Sequence, residues 1–89
     1  MKVVINKRHG GFGLSDEAIL WLCERVAKEG IANIERHNPL LVECVEALGN
    51  KANGEFARLD VVEIPDGINY TVEEDGGVEW IAEQHRTWG

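Results

Sequence analysis

The stretch "INYTVEEDGGVEWIAEQHRTW", Ile68 to Trp88, decides the fold. Its first half, "INYTVEE", is rich in β-branched and aromatic residues and reads as a strand. "DGG" at Asp75–Gly77 is a hairpin signal, because glycine accepts the positive φ that tight hairpin turns need. The second half reads two ways. Alternation puts Val78, Trp80 and Ala82 on one face of a strand, whereas a helical period groups Val78, Ile81, Ala82 and His85. The turn before it and its aromatic residues favour the strand. Upstream, "PDG" at Pro65–Gly67 is a second turn, and it stops the strand "ARLDVVEI".

Working outward, "HNPLLVECVEALGNKANG" predicts a helix. Asn38 caps it, Pro39 takes the first helical position, and Leu41, Cys44, Val45 and Leu48 recur at helical spacing before Gly49 closes it. "LSDEAILWLCERVAKEG" predicts another. Ser15 is its cap, Asp16 and Glu17 suit the positive end of the helix dipole, Ile19, Leu22, Cys23 and Val26 form the buried stripe, and Gly30 ends it. "IANIERH" between them reads as a connection, and "KVVIN" at the start as a short strand. The expected order is β-α-α-β-β-β. This is a single small α+β domain over residues 1–89, with two helices packed on one face of a sheet.

Eighty-nine residues support one core and leave a monomer marginal. Three tryptophans are difficult to bury in so small a core. A homodimer or higher homo-oligomer with a tryptophan between subunits is therefore expected, two-fold symmetry being the default. The start "MKVVINKRHGG" lacks the apolar run of a signal peptide, and no segment is long and apolar enough for a bilayer span. A cytoplasmic protein with no membrane partner is expected. Cys23 and Cys44 are read as reduced core thiols on the apolar helix faces.

The net charge of −7 is unevenly laid out. Residues 1–13 hold Lys2, Lys7 and Arg8 and no acid. Residues 59–85 hold Asp60, Glu63, Asp66, Glu73, Glu74, Asp75, Glu79 and Glu83 and no Lys or Arg. Broad nucleic-acid binding needs a basic field over many phosphates, which this chain lacks. A small anionic ligand at the basic corner fits the layout.

That corner is "NKRHGGFGLS", Asn6 to Ser15. A glycine-rich turn entering a helix can hold an anion through backbone N–H groups, and Lys7, Arg8 and His9 add charged donors. The same stretch also reads as a tight strand-to-helix connection with Phe12 in the core. The tail "HRTW" offers Arg86, the only Lys or Arg after Arg58, beside Trp88. An arginine beside an aromatic ring can stack on it and present its fork to a phosphate. The candidate ligand-binding residues are Asn6, Lys7, Arg8, Gly10, Gly11, Phe12, Arg86 and Trp88. In this scheme Lys7 and Arg86 neutralise phosphate, Gly10 and Gly11 cradle it, and Phe12 or Trp88 stacks on a base.

Ser15 lacks a nucleophile-elbow context, and His9, His37 and His85 share no ligand spacing. Glu73–Glu74 and Glu79/Glu83 read as a solvated acidic face. No catalysis, metal or cofactor is expected.

Three motifs carry a resemblance: "KVVINK…GGFGLS", "NPLLVECVEALG.KANG" and "EIPDG…Y.VEE.DGGVEWIAE.HRTW". Together they run nearly end to end and resemble a family of short phage and prophage proteins of unsettled function. Relatives look like "NKCYGGF" where this chain has "NKRHGGF". Asn6, Lys7, the glycines and Phe12 match the family pattern, and Arg8 and His9 depart from it. The resemblance implies a phage-encoded accessory protein of the host cell cytoplasm. Such proteins counter host defences, either by sequestering a nucleotide signal or, as the alternative, by blocking a host factor through an acidic surface.

Overall fold

A computed structural model describes residues 1–26, 30–31 and 34–83 of the chain. Its elements are β1 (Lys2–Asn6), α1 (Asp16–Cys23), α2 (Pro39–Leu48), a 3-10 turn (Gly49–Ala52), β2 (Leu59–Glu63), β3 (Tyr70–Asp75) and β4 (Val78–Glu83). The α+β class and the order β-α-α-β-β-β are those read from the sequence.

The strands divide into two antiparallel pairs, β1 with β2 and β3 with β4. "VVI" is buried at every position, as a run apolar on both faces requires, and the polar Asn6 after it is buried as well. Val4 faces a core made with Ala18 and Leu22 of α1, Leu41, Val42, Cys44 and Val45 of α2, and Ala52. Val3 and Ile5 face the other way, with Ile64, toward Val72 and Ile81 of the β3–β4 hairpin. The β1–β2 ladder is thus the middle layer, with helices on one side and the hairpin on the other.

The caps are as the sequence indicates. Ser15 Oγ accepts from Ala18 N at 3.1 Å and Asn38 Oδ1 from Leu40 N at 2.9 Å, each worth about 1 kcal/mol. Gly49 ends α2 at φ 58°. Two details of α1 differ. It stops at Cys23, and Gly30 is itself helical instead of marking the end. Its buried stripe is also turned by one residue. Ala18 and Leu22 are buried and Trp21 packs beside them, while Leu20 is 66% exposed and Ile19 and Cys23 are exposed. The small Ala18 permits close approach to α2, where the Cys44 thiol lies 3.8 Å from its carbonyl oxygen. Only Cys44 is a core thiol; burial pushes its pKa up, against the opposing charge of Arg25.

The hairpin closes through Gly76 and Gly77, both at positive φ, with Asp75 opposite Val78. Residues 78–83 are strand; residues 84–88, including His85, Arg86 and Trp88, lie outside the described residues. Val78, Trp80 and Ala82 do share a face, and it is the outer one. Glu79 points inward and is only 8% exposed, which corrects its reading as part of a solvated face.

Candidate functional site

The site is built where β1 ends. The backbone N–H groups of Val4 and Asn6 point away from β2, to the other edge of β1. Val4 N donates to the Arg36 carbonyl at 2.8 Å, and Asn6 N donates to Glu79 Oε1 at 2.8 Å. The Arg36 guanidinium in turn holds both Glu79 oxygens, with Nη2 to Oε2 at 2.8 Å. It also lies 3.7 Å from the centre of the Phe12 ring. One arginine therefore joins the connection before α2, the hairpin and the glycine-rich loop.

Asn6 is fully buried. Its Nδ2 donates to the carbonyls of Arg8 and Gly77, both at 2.7 Å, and its Oδ1 accepts from Arg58 N at 2.8 Å and Arg8 N at 3.4 Å. All four hydrogen-bonding positions of the amide are thereby used. The glycine loop packs tightly on the hairpin turn. Gly10 N donates to Gly76 O at 3.4 Å, and a Cβ on Gly77 (φ 94°) would meet Gly10 N at 2.7 Å and also strike Gly11 N. Glycine is needed there for contact between two backbones.

Beyond this packed knot opens a cleft of about 440 Å³ lined by Lys7, Arg8, Asn50, Asn53, Ala57 and Arg58. That volume is in the range of small-molecule sites. The Asn6 side-chain amide, bonded to the backbones of Arg8 and Arg58, fixes both residues on its wall. Lys7 Nζ pairs with Asp60 Oδ2 at 2.8 Å. Lys2 pairs with Glu46, Arg25 with Glu24, and Arg36 with Glu79. Among the described residues Arg8, Lys51 and Arg58 make no ion pair, despite 16 acidic residues in the chain. Arg8 and Arg58 line the cleft, and Lys51 follows the lining residue Asn50.

The Lys7–Asp60 pair gives a pH test. The hydrogen bond from Lys7 is the main cause holding the Asp60 carboxyl below its usual range. A carboxyl lowered on folding stabilises the fold above its unfolded pKa, and that stability is lost as pH falls through the folded one. Both side chains are about half exposed, at 51% and 49%, so solvent screens the pair. Asp60→Asn should cost about 0.5 kcal/mol at neutral pH. In urea titrations the gap from the parent should close below about pH 4. A gap unchanged at pH 3 would assign the loss to something other than the charge.

Of the residues proposed from sequence, Lys7 and Arg8 line the cleft. Asn6 is buried behind it, Gly10 and Gly11 pack on the hairpin turn, and Phe12 carries the Arg36 guanidinium on its ring. Arg86 and Trp88 lie outside the described residues. Sequence reading missed Arg58, Asn50 and Asn53 on the cleft wall, and Arg36 and Glu79 behind it. "NGEFAR" after α2 carried a usable signal, a polar loop ending in a cation just before a strand. Arg36 carried none, since nothing local to "IANIERH" indicates a partner 43 positions away.

Elsewhere, His37 Nε2 lies 2.9 Å from Glu35 Oε2, and its Nδ1 lies 2.8 Å from Tyr70 Oη. With Nε2–H given to Glu35, Nδ1 accepts from the phenol. Burial, and then the Glu35 charge, push the Tyr70 pKa up, so the phenol stays protonated at neutral pH. Among the described residues no helix is long and apolar enough to cross a membrane. Comparison of the chain with protein-family models, curated proteins and solved structures gives no match.

Proposed function

We propose that this chain is a non-catalytic binding module for a small phosphorylated or nucleotide-type ligand, held by phosphate in the Lys7/Arg8/Arg58 cleft. One observation carries the reading. In a chain of net charge −7, two of the three described cations without an ion pair, Arg8 and Arg58, line one concave site. Arginine forks suit phosphate oxygens, and the Asn50 and Asn53 amides are polar groups on the same wall. None of the six lining residues is a carboxylate, imidazole, hydroxyl or thiol, and the one amine, Lys7, is paired with Asp60, which favours binding over acid–base or nucleophilic chemistry. The lining also contains no aromatic ring, so recognition rests on phosphate, and the Phe12 stacking role is set aside. The motif resemblance supports placing the module among phage accessory proteins that counter host defence in the host cytoplasm.

The test is a thermal-shift and calorimetric panel of pyrophosphate, nucleoside triphosphates and cyclic dinucleotides. A ligand present at about 100 times its Kd adds about 2.7 kcal/mol to the native state. For a domain of this size that raises Tm by about 10 °C or more. Arg58→Gln should weaken binding by about 1.5–3 kcal/mol, the range for a charge-assisted hydrogen bond, and Arg8→Gln similarly. No stabilisation by any of the panel at about 1 mM would overturn the reading.

A further inference from the structure

The hairpin's outer face is a second surface with chemistry opposite to that of the cleft. Trp80 stands in the middle of β4 on that face and is 47% exposed. Across the ladder it faces Glu73, with Ala82 opposite Thr71 and Val78 opposite Asp75. Glu73 and Asp75 are the carboxylates of this face; both are exposed, and among the described residues neither is in an ion pair. Thr71 Oγ1 donates to Glu73 Oε1 at 3.0 Å, holding that carboxylate over the same face. The indole does not complete the core: the inner face is filled by Val72 and Ile81, while Glu79 is taken by Arg36.

We infer that this face docks a short basic segment of another protein, an arginine or lysine of that segment lying on the Trp80 ring while its neighbours meet Glu73 and Asp75. The argument is charge complementarity around an aromatic anchor. A tryptophan face attracts a cation through its ring quadrupole, and surrounding carboxylates add to the same field. Tryptophan is also the side chain most often found at the energetic centre of an interface. The size fits a segment better than a globular partner. Six residues per strand span about 20 Å, and two strands are about 5 Å apart, well short of the roughly 800 Å² per partner of a standard interface. A second copy is disfavoured here by the same charges. A two-fold pairing on this face would set acidic residues against their own copies, and like charges across an interface are costly. This inference does not depend on the ligand assigned to the cleft.

The probe is a fluorescent peptide of about ten residues with four arginines, titrated with the full chain near 0.05 M salt, where surface charges are least screened. Its glutamine-for-arginine counterpart serves as the blank. Trp80→Ala should weaken binding about tenfold. Trp80→Leu keeps apolar bulk without an aromatic ring and should lose nearly as much. Glu17→Gln with Glu43→Gln removes two exposed charges from the helices and should change binding less than twofold. Circular dichroism of each variant checks that the fold is kept. Amide shifts in a heteronuclear NMR titration should centre on Thr71, Glu73, Trp80 and Ala82. Equal losses in the tryptophan and helix variants would overturn the inference, as would no peptide binding. So would a dimer that becomes monomeric on Trp80→Ala, which would show the face covered by a second copy.

Discussion

Glu79→Ala is expected to cost about 3 kcal/mol of folding stability, a large share of the 5–15 kcal/mol typical of a domain. The cause is the number of groups that the carboxylate serves. It takes both guanidinium nitrogens of Arg36 and the N–H of Asn6, and it is 8% exposed. Truncation leaves a cation with only 26% of its side chain in solvent and a buried strand N–H with no acceptor. The lower end of the range for a broken buried pair is appropriate, because water reaches part of Arg36. Glu79→Gln keeps an oxygen for Asn6 and should lose less. Glu83→Gln, an exposed site on the same strand, should change stability by no more than about 0.5 kcal/mol. Urea midpoints followed by circular dichroism measure all three. A loss below about 1 kcal/mol for Glu79→Ala would mean that the pair is solvated and not structural. Replacing both partners, Arg36→Met with Glu79→Leu, should cost less than the sum of the single changes, because no charge is left without its partner.

Asn6→Ala should cost about 2–4 kcal/mol, since a buried group left without its partner costs about 1–3 kcal/mol and this change strips several. The N–H of Arg58 and the carbonyls of Arg8 and Gly77 lose their shared partner. Asn6→Asp is the sharper test. It keeps an acceptor for Arg58 N but sets a second oxygen against the two carbonyls, so it should be no more stable than the alanine variant. Near-parent stability of Asn6→Asp would mean that the amide network is dispensable. The network also bears on binding. The Asn6 amide joins the Arg8 and Arg58 backbones beyond the end of the β1–β2 ladder, so in Asn6→Ala the cleft should loosen and anion affinity should fall although no ligand contact is removed.

The glycine loop shows how far local reading reaches. Its glycines were legible as special backbone, and four positive-φ glycines do meet there, Gly10 and Gly11 of the loop with Gly76 and Gly77 of the hairpin turn. Their missing side chains let the loop lie against the hairpin turn, and the cations just before them, Lys7 and Arg8, face a cleft whose other wall comes from residues 50–58. Half of the site therefore belongs to a segment more than 40 positions downstream. No spacing rule within "NKRHGGFGLS" refers to it.

Glu79 and Trp80 make the same point in one dipeptide. Alternation placed Glu79 and Trp80 on opposite faces of β4, and they are. Hydropathy would bury the tryptophan and expose the acid; the fold does the reverse, because Arg36 waits on the inner side with Phe12 behind it. Periodicity, caps, turns and glycine positions act within a few residues, through backbone sterics and local hydrogen bonds. They alone determined the α+β class, the order of elements, both helix caps and the DGG hairpin. Which face of α1 and β4 turned inward, and which cations came to share a cleft, was decided by tertiary structure. Burial of a charge depends on a partner distant in the chain, and only folding brings Arg36 to Glu79 and Arg58 to Arg8.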